Sequence, residues 1–149
     1  MGTVVPQPVA ILPEAGRALE FLGVTHKLTS DQTGGAFYVC EAVFGPESGS
    51  PLHIHHLEDE VIHVLEGEIE IRLDTDKLYA SVGGIVHLPK KIPHALQNPL
   101  KTPLRIMVHA IPGGLEHYFD DVDAALQDGT FTAELHIEIS KKYGLEWLE

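Results

Sequence analysis

Between Gly49 and Asn98 the chain carries His53, His55, Glu60 and His94, three imidazoles and one carboxylate in two separate blocks. Neutral imidazoles with a carboxylate suit a divalent transition ion of borderline softness (Fe, Mn, Ni, Co, Cu or Zn) better than Mg or Ca. In an extended strand alternate side chains share a face, so His53 and His55 point one way and Ile54 the other. The two rings then stand about 7 Å apart along the strand and converge on one ion after modest twist. Glu60 has the opposite parity, so it joins them only if the chain bends between His56 and Asp59. The polar run His56-Leu57-Glu58-Asp59 permits that bend, and we expect two hairpins to gather the four side chains into one cluster.

Ten histidines in 149 residues supply about 0.7 His-X-His pairs by chance, so the pair alone carries little weight. The further spacing carries more. Glu60 lies five residues after His55 and Gly67 seven after Glu60, and the second block adds Gly83, Pro89 and Asn98 around His94.

On these residues the chain resembles the cupins, whose two motifs read G(X)5HXH(X)3-4E(X)6G and G(X)5PXG(X)2H(X)3N. Two positions depart from the pattern. Glu47 stands where the first motif opens with Gly, flanked by Gly45 and Gly49, and Lys91 replaces the Gly of the second, where a side chain tolerates positive φ poorly. The resemblance implies an all-β fold, a double-stranded β-helix or jelly-roll barrel with C-terminal α-helices. It also implies one divalent transition-metal ion held by His53, His55, Glu60 and His94. Weaker similarities at Thr33-Gly34-Gly35-Ala36-Phe37 and Pro112-Gly113-Gly114-Leu115-Glu116 point to single-domain cupins similar to quercetin dioxygenases. The activity implied is a metal-dependent dioxygenase, an oxidoreductase acting on a phenolic or enolic small molecule with dioxygen, in which Glu60 also serves as general base. The alternatives are a metal-dependent isomerase, decarboxylase or hydrolase, or a non-catalytic cupin that binds metal or a small ligand. A homodimer is the family expectation, with the N-terminal segment as its only support in the sequence.

Composition sets the outer bounds. The length fits a single domain, with a barrel over about residues 16 to 111 and a helical tail over about 114 to 145. A net charge of −12 argues against nucleic acid, which requires Lys and Arg clustered on one face. The apolar stretch Val4 to Leu12 is broken by Pro6 and Pro8 and has no basic segment before it, so neither a signal peptide nor a membrane span is expected. The lone Cys40 reads as a small buried residue, and a cytoplasmic setting is the default.

The elements that must position the site follow from periodicity. Met1 to Pro13 reads as a proline-punctuated arm or edge strand. Arg17 to Leu22, Val24 to Leu28 and Ala36 to Phe44 read as strands, with a turn cluster from Ser30 to Gly35. A loop at Gly45 to Pro51 delivers His53. Glu60 to Leu65, Glu68 to Leu73, Lys77 to Ser81, Val86 to Leu88 and Leu104 to Ile111 follow as strands. Leu115, Tyr118, Phe119, Val122 and Leu126 form one helical stripe ended by Asp128-Gly129, and Thr132 to Tyr143 forms a second helix before Gly144. These helices are expected to cover the barrel's outer face or an open end. Tyr38, Phe44, Leu96, Met107 and His109 are candidate pocket walls. His56 reads as a rim residue and His63 as facing away from the metal, while His26, His87, His117 and His136 read as incidental.

Overall fold

The alternating stretch near the end of the barrel becomes its central strand. In a computed structural model, which describes residues 5–149, the chain runs β1 (Arg17–Leu19), β2 (Val24–Leu28), α1 (Ser30–Thr33), β3 (Tyr38–Phe44), β4 (His53–His55), β5 (Asp59–Glu66), β6 (Glu68–Arg72), β7 (Lys77–Ser81), β8 (Ile85–Leu88), β9 (Ala95–Gln97), β10 (Leu104–Ile111), α2 (Leu115–Asp128), α3 (Ala133–Lys142) and β11 (Leu145–Trp147). Met1 to Val4 of the expected arm lie outside the described residues.

Strands order as β1-β2-β3-β10-β5-β8 in one sheet, β7-β6-β9 in a second and β11-β4 in a third. The pairings within them are antiparallel. β10 lies between β3 and β5, with Val108 opposite both Cys40 and Ile62. Period-two alternation turns Leu104, Ile106, Val108 and Ala110 inward, where they join Ile62, Val64, Ile69 and Ile71 in one core. This is a double-stranded β-helix, a jelly-roll barrel, with helices at its C-terminal end.

The helical tail belongs to the same core. Leu115, Tyr118 and Val122 of α2, Ile139 of α3 and Leu145 of β11 are buried in continuity with the barrel interior. Gly129, at φ 71°, ends α2 in the left-handed conformation expected after Asp128. Glu116 ties the start of α2 to α1, its carboxylate accepting hydrogen bonds from the backbone N–H groups of Ser30 and Gly114.

Several details differ from the sequence reading, among them the strand β9 just after His94, which the reading lacks. The Ser30 to Gly35 turn contains the one-turn helix α1, capped by Thr29 and Gln32. From residue 5 to residue 12 the arm has no strand partner; it lies over the outer sheet face, where the Lys27 ammonium donates to the carbonyls of Pro13 and Ala15. Beyond α3 the chain forms β11, which the sequence reading lacks, and β11 pairs with the histidine strand β4.

Candidate metal centre

β4 delivers the first two imidazoles. His53 and His55 are buried on one face of this three-residue strand while Ile54 alternates away, as period two requires. The chain bends at His56 and Leu57 and enters β5 at Asp59, which brings Glu60 inward beside Ile62 and Val64. His94 sits just before β9 and is held by reciprocal backbone hydrogen bonds between its own N–H and carbonyl and those of His53. All four side chains are at least nine-tenths buried.

The turn around the first motif rests on a close approach. A Cβ at Gly49 would lie 2.2 Å from the Leu96 carbonyl oxygen, so only glycine lets this loop cross β9. Asn98, fully buried, donates through Nδ2 to the carbonyls of Gly45 and Thr102 and accepts from the Leu100 N–H. It locks the loops on either side of the histidines and lies outside the chemistry.

Each ring is oriented through its Nδ1. That atom lies 2.8 Å from the Pro51 carbonyl in His53, 2.6 Å from Glu58 Oε1 in His55 and 3.2 Å from the Ile92 carbonyl in His94. An oxygen acceptor at Nδ1 places the proton there and leaves the Nε2 lone pair free for an ion. One ligand atom from each of the three rings lies within 4.8 Å of the others. Ligands bound at about 2.1 Å sit no more than about 4.2 Å apart, so the rings have only a short way to close. Glu60 Oε1 stands 2.6 Å from His55 Nε2; among the described residues it and His94 Nε2 are buried polar atoms for which no contact has the geometry of a hydrogen bond. Buried polar atoms are ordinarily paired, and two orphans beside a convergent imidazole trio fit a cation.

The electrostatics agree. Burial, reinforced by the neighbouring imidazoles, lowers His53 to about 4, and burial also lowers His94. Both rings are therefore neutral, the state that binds metal. For His55, burial is outweighed by the Glu60 charge and by hydrogen bonding to Glu58, which raise it. For Glu60, burial is outweighed by His55, which lowers it. In the absence of an ion His55 and Glu60 form a charge pair, and an ion would take the place of the proton between them.

The three imidazoles converge, with Glu60 beside His55, but the proposed pocket walls divide. A cavity of about 380 Å³ opens beside the cluster, with Phe44 and Leu96 in its lining, and Tyr38 is buried in the core behind Cys40. Met107 and His109 lie on the other side of β10 and line a groove on the outer sheet face beneath the arm, so they are corrected out of the pocket. The physical reason is that Ile106 and Val108, not their neighbours, take the inward parity.

The remaining histidines also sort out. His56 is exposed and pairs with Glu146, and His63 lies on the half-exposed face of β5. His26 and His136 are corrected from incidental to structural. His26 is buried, its ring joining the Tyr38 hydroxyl to the Asp120 carboxylate, and His136 Nε2 lies 2.7 Å from the Tyr118 hydroxyl.

Two contributors escaped the sequence reading. Glu58, buried three residues after His55, had only its position in the bend as a signal. Trp147 lies opposite His53 in the β11–β4 ladder, with ring centroids 4.9 Å apart, and the three-residue alternation Leu145-Glu146-Trp147 is too short to stand out.

With this geometry in place, comparison with known proteins shows what the chain is similar to. A family model described as "Cupin domain" matches residues 40–110, the segment that contains all four clustered side chains. The matched segment is a little under half of this chain, and it gives that segment a likeness to the cupins that the double-stranded β-helix fold shares. An uncharacterized protein of Methanocaldococcus jannaschii is 31% identical over 74 residues, covering 50% of this chain; the chain spans 59% of that relative's length. Among solved structures, the Cnp3 cupin domain of Schizosaccharomyces pombe aligns with a TM-score of 0.59 at 16% identity, over 71% of this chain and 70% of that one. A double-stranded β-helix protein from Klebsiella pneumoniae gives 0.54 at 18%, over 60% and 76%. The polyketide cyclase RemF of Streptomyces resistomycificus gives 0.52 at 22%, over 60% and 65%. At these identities the likeness is one of fold alone.

Proposed function

We propose that the protein is a metal-dependent oxidoreductase, a dioxygenase of the quercetinase-like cupin type acting on a small phenolic or enolic molecule. One observation carries the reading: three imidazoles with their Nδ1 atoms engaged turn toward a buried carboxylate beside an apolar cavity. His53, His55, His94 and Glu60 would hold one divalent transition ion, which when bound supplies Lewis acidity and, for a redox-active metal, electrons for dioxygen.

The chain's own contribution is positioning and proton handling. Glu60 Oε1 stands 2.6 Å from His55 Nε2 and lines the cavity; with an ion in place of the proton the two share, this carboxylate would stand where the proton of a phenol or enol arrives. Phe44, Leu96, Phe119 and Val122 enclose the organic body of the substrate and keep water from the reacting end.

The test joins metal analysis to oxygen uptake with catechols and β-diketones. Expected is about one ion per chain, metal-dependent uptake, and loss of both in His53→Ala with the circular dichroism spectrum retained. Glu60→Gln should keep the fold and lower kcat by about 10²- to 10⁴-fold. Turnover that persists anaerobically would move the assignment to a Lewis-acid isomerase, decarboxylase or hydrolase. Absence of both metal and turnover would leave a small-ligand-binding cupin.

A further inference from the structure

The composition of the cavity wall bears on what can enter it. Among the described residues no lysine or arginine lines the cavity, and apart from the clustered side chains its wall is mainly aliphatic and aromatic. Its other polar side chains are committed elsewhere. Ser48 Oγ donates to the Gly45 carbonyl, Ser50 Oγ accepts from the Leu96 N–H, Tyr118 bonds to His136, and Trp147 Nε1 donates to Ser140. The Cys40 thiol is buried against Tyr38.

We infer that the cavity selects a small, otherwise neutral molecule with an apolar body and a single ionisable oxygen-bearing end, and discriminates against carboxylated, phosphorylated and polyhydroxylated compounds. The inference rests on the metal-centre reading above and deepens it by naming the substrate class. A carboxylate or phosphate away from the cluster would be desolvated with no cation to meet it. Each extra hydroxyl would be buried against Leu, Val and Phe side chains at a cost ordinarily associated with an unmatched polar group. At about 380 Å³ the space lies near the lower end of the roughly 300–1,000 Å³ range of ligand pockets, which favours one ring with a short substituent over a heavily hydroxylated three-ring flavonol.

The test uses the full-length protein loaded with Co²⁺, whose visible spectrum reports ligation, titrated with catechol, 4-methylcatechol, 4-propylcatechol, protocatechuate and glucose. Affinity should rise by up to about fourfold per added methylene until the cavity is full. Protocatechuate should bind at least about tenfold more weakly than 4-methylcatechol, and glucose should leave the spectrum unchanged. Leu22 also lines the cavity; Leu22→Arg, which supplies a cation from that wall, should improve protocatechuate binding at least about tenfold and leave 4-methylcatechol within about threefold. Equal affinity for protocatechuate and 4-methylcatechol in the wild type, or a spectral response to glucose, would overturn the inference and leave the metal centre standing. Failure of Co²⁺ to bind, or equal binding by His53→Ala, would overturn the metal reading and the inference with it.

Discussion

Glu47 and Lys91 occupy the two positions at which the cupin motifs carry glycine, and they are the two described non-glycine residues with positive φ, at 57° and 69°. The backbone has kept the turn while the sequence has lost the residue that makes it free. A left-handed non-glycine residue costs about 1–2 kcal/mol, part of which glycine returns through its larger unfolded-state entropy. Glu47→Gly and Lys91→Gly are each expected to stabilise the protein by about 0.5–1 kcal/mol, read as a higher denaturation midpoint with an unchanged denaturant slope. Glu58 makes the other residue-scale case. Its Oε1 holds His55 Nδ1 at 2.6 Å, and removing such a partner ordinarily costs about 10–100-fold in metal affinity. Competition with a chromophoric chelator should find a loss in that range for Glu58→Gln, and an unchanged affinity would show that the Glu58 charge does not orient the ring.

Elements differ in how legible they were, and the reason is where their information lies. β10 and α2 were readable because eight and fourteen residues respectively repeat one period. The inward face of β10 was harder, since Ile106 and Val108 on one side and Met107 on the other are all apolar, and only pairing with β3 and β5 decides between them. β11 has three residues and exists because β4 offers an edge to pair with, a fact held by no local pattern. The four clustered side chains were legible because spacing and residue type are both recorded in the chain; Glu58 and Trp147 act through contacts that fixed spacing does not encode.

The elements also set the response to acid. His136 is lowered by burial, so below its ordinary value of 6.5 the unfolded chain takes up a proton that the folded chain resists, and stability falls as pH drops from there. Glu116 and Asp120 are lowered because hydrogen bonds outweigh burial, to Ser30 and Gly114 for the first and to His26 and Arg17 for the second. Their contribution is complete above the ordinary carboxylate range and is lost as pH falls through their folded values. Thermal melts should therefore show a shallow decline below about pH 6.5 and a steeper one below about pH 4. Glu116→Gln should flatten the steeper limb, and a melting temperature constant from pH 7 to 3 would contradict this account of how α2 and α3 are held.

At the scale of the whole molecule, the tail and barrel share one interior. Val122, Ile139 and Leu145 are buried in continuity with Ile62, Ile69 and Ile106, and Trp147 packs against His53 from the opposite end of the chain's pairing order. A 149-residue chain with one continuous core is expected to unfold as a single cooperative unit. Trp147, the sole tryptophan, reports on the tail, while far-ultraviolet circular dichroism is weighted toward the strands. Their urea transitions should coincide, and a divalent ion that binds only the folded state should move both together, by about 2.7 kcal/mol at a hundredfold excess over Kd. A fluorescence transition that precedes the loss of strand signal would show that α2, α3 and β11 detach first. The cavity would then be walled by a separable lid, and the metal centre would have to survive without Trp147 against His53.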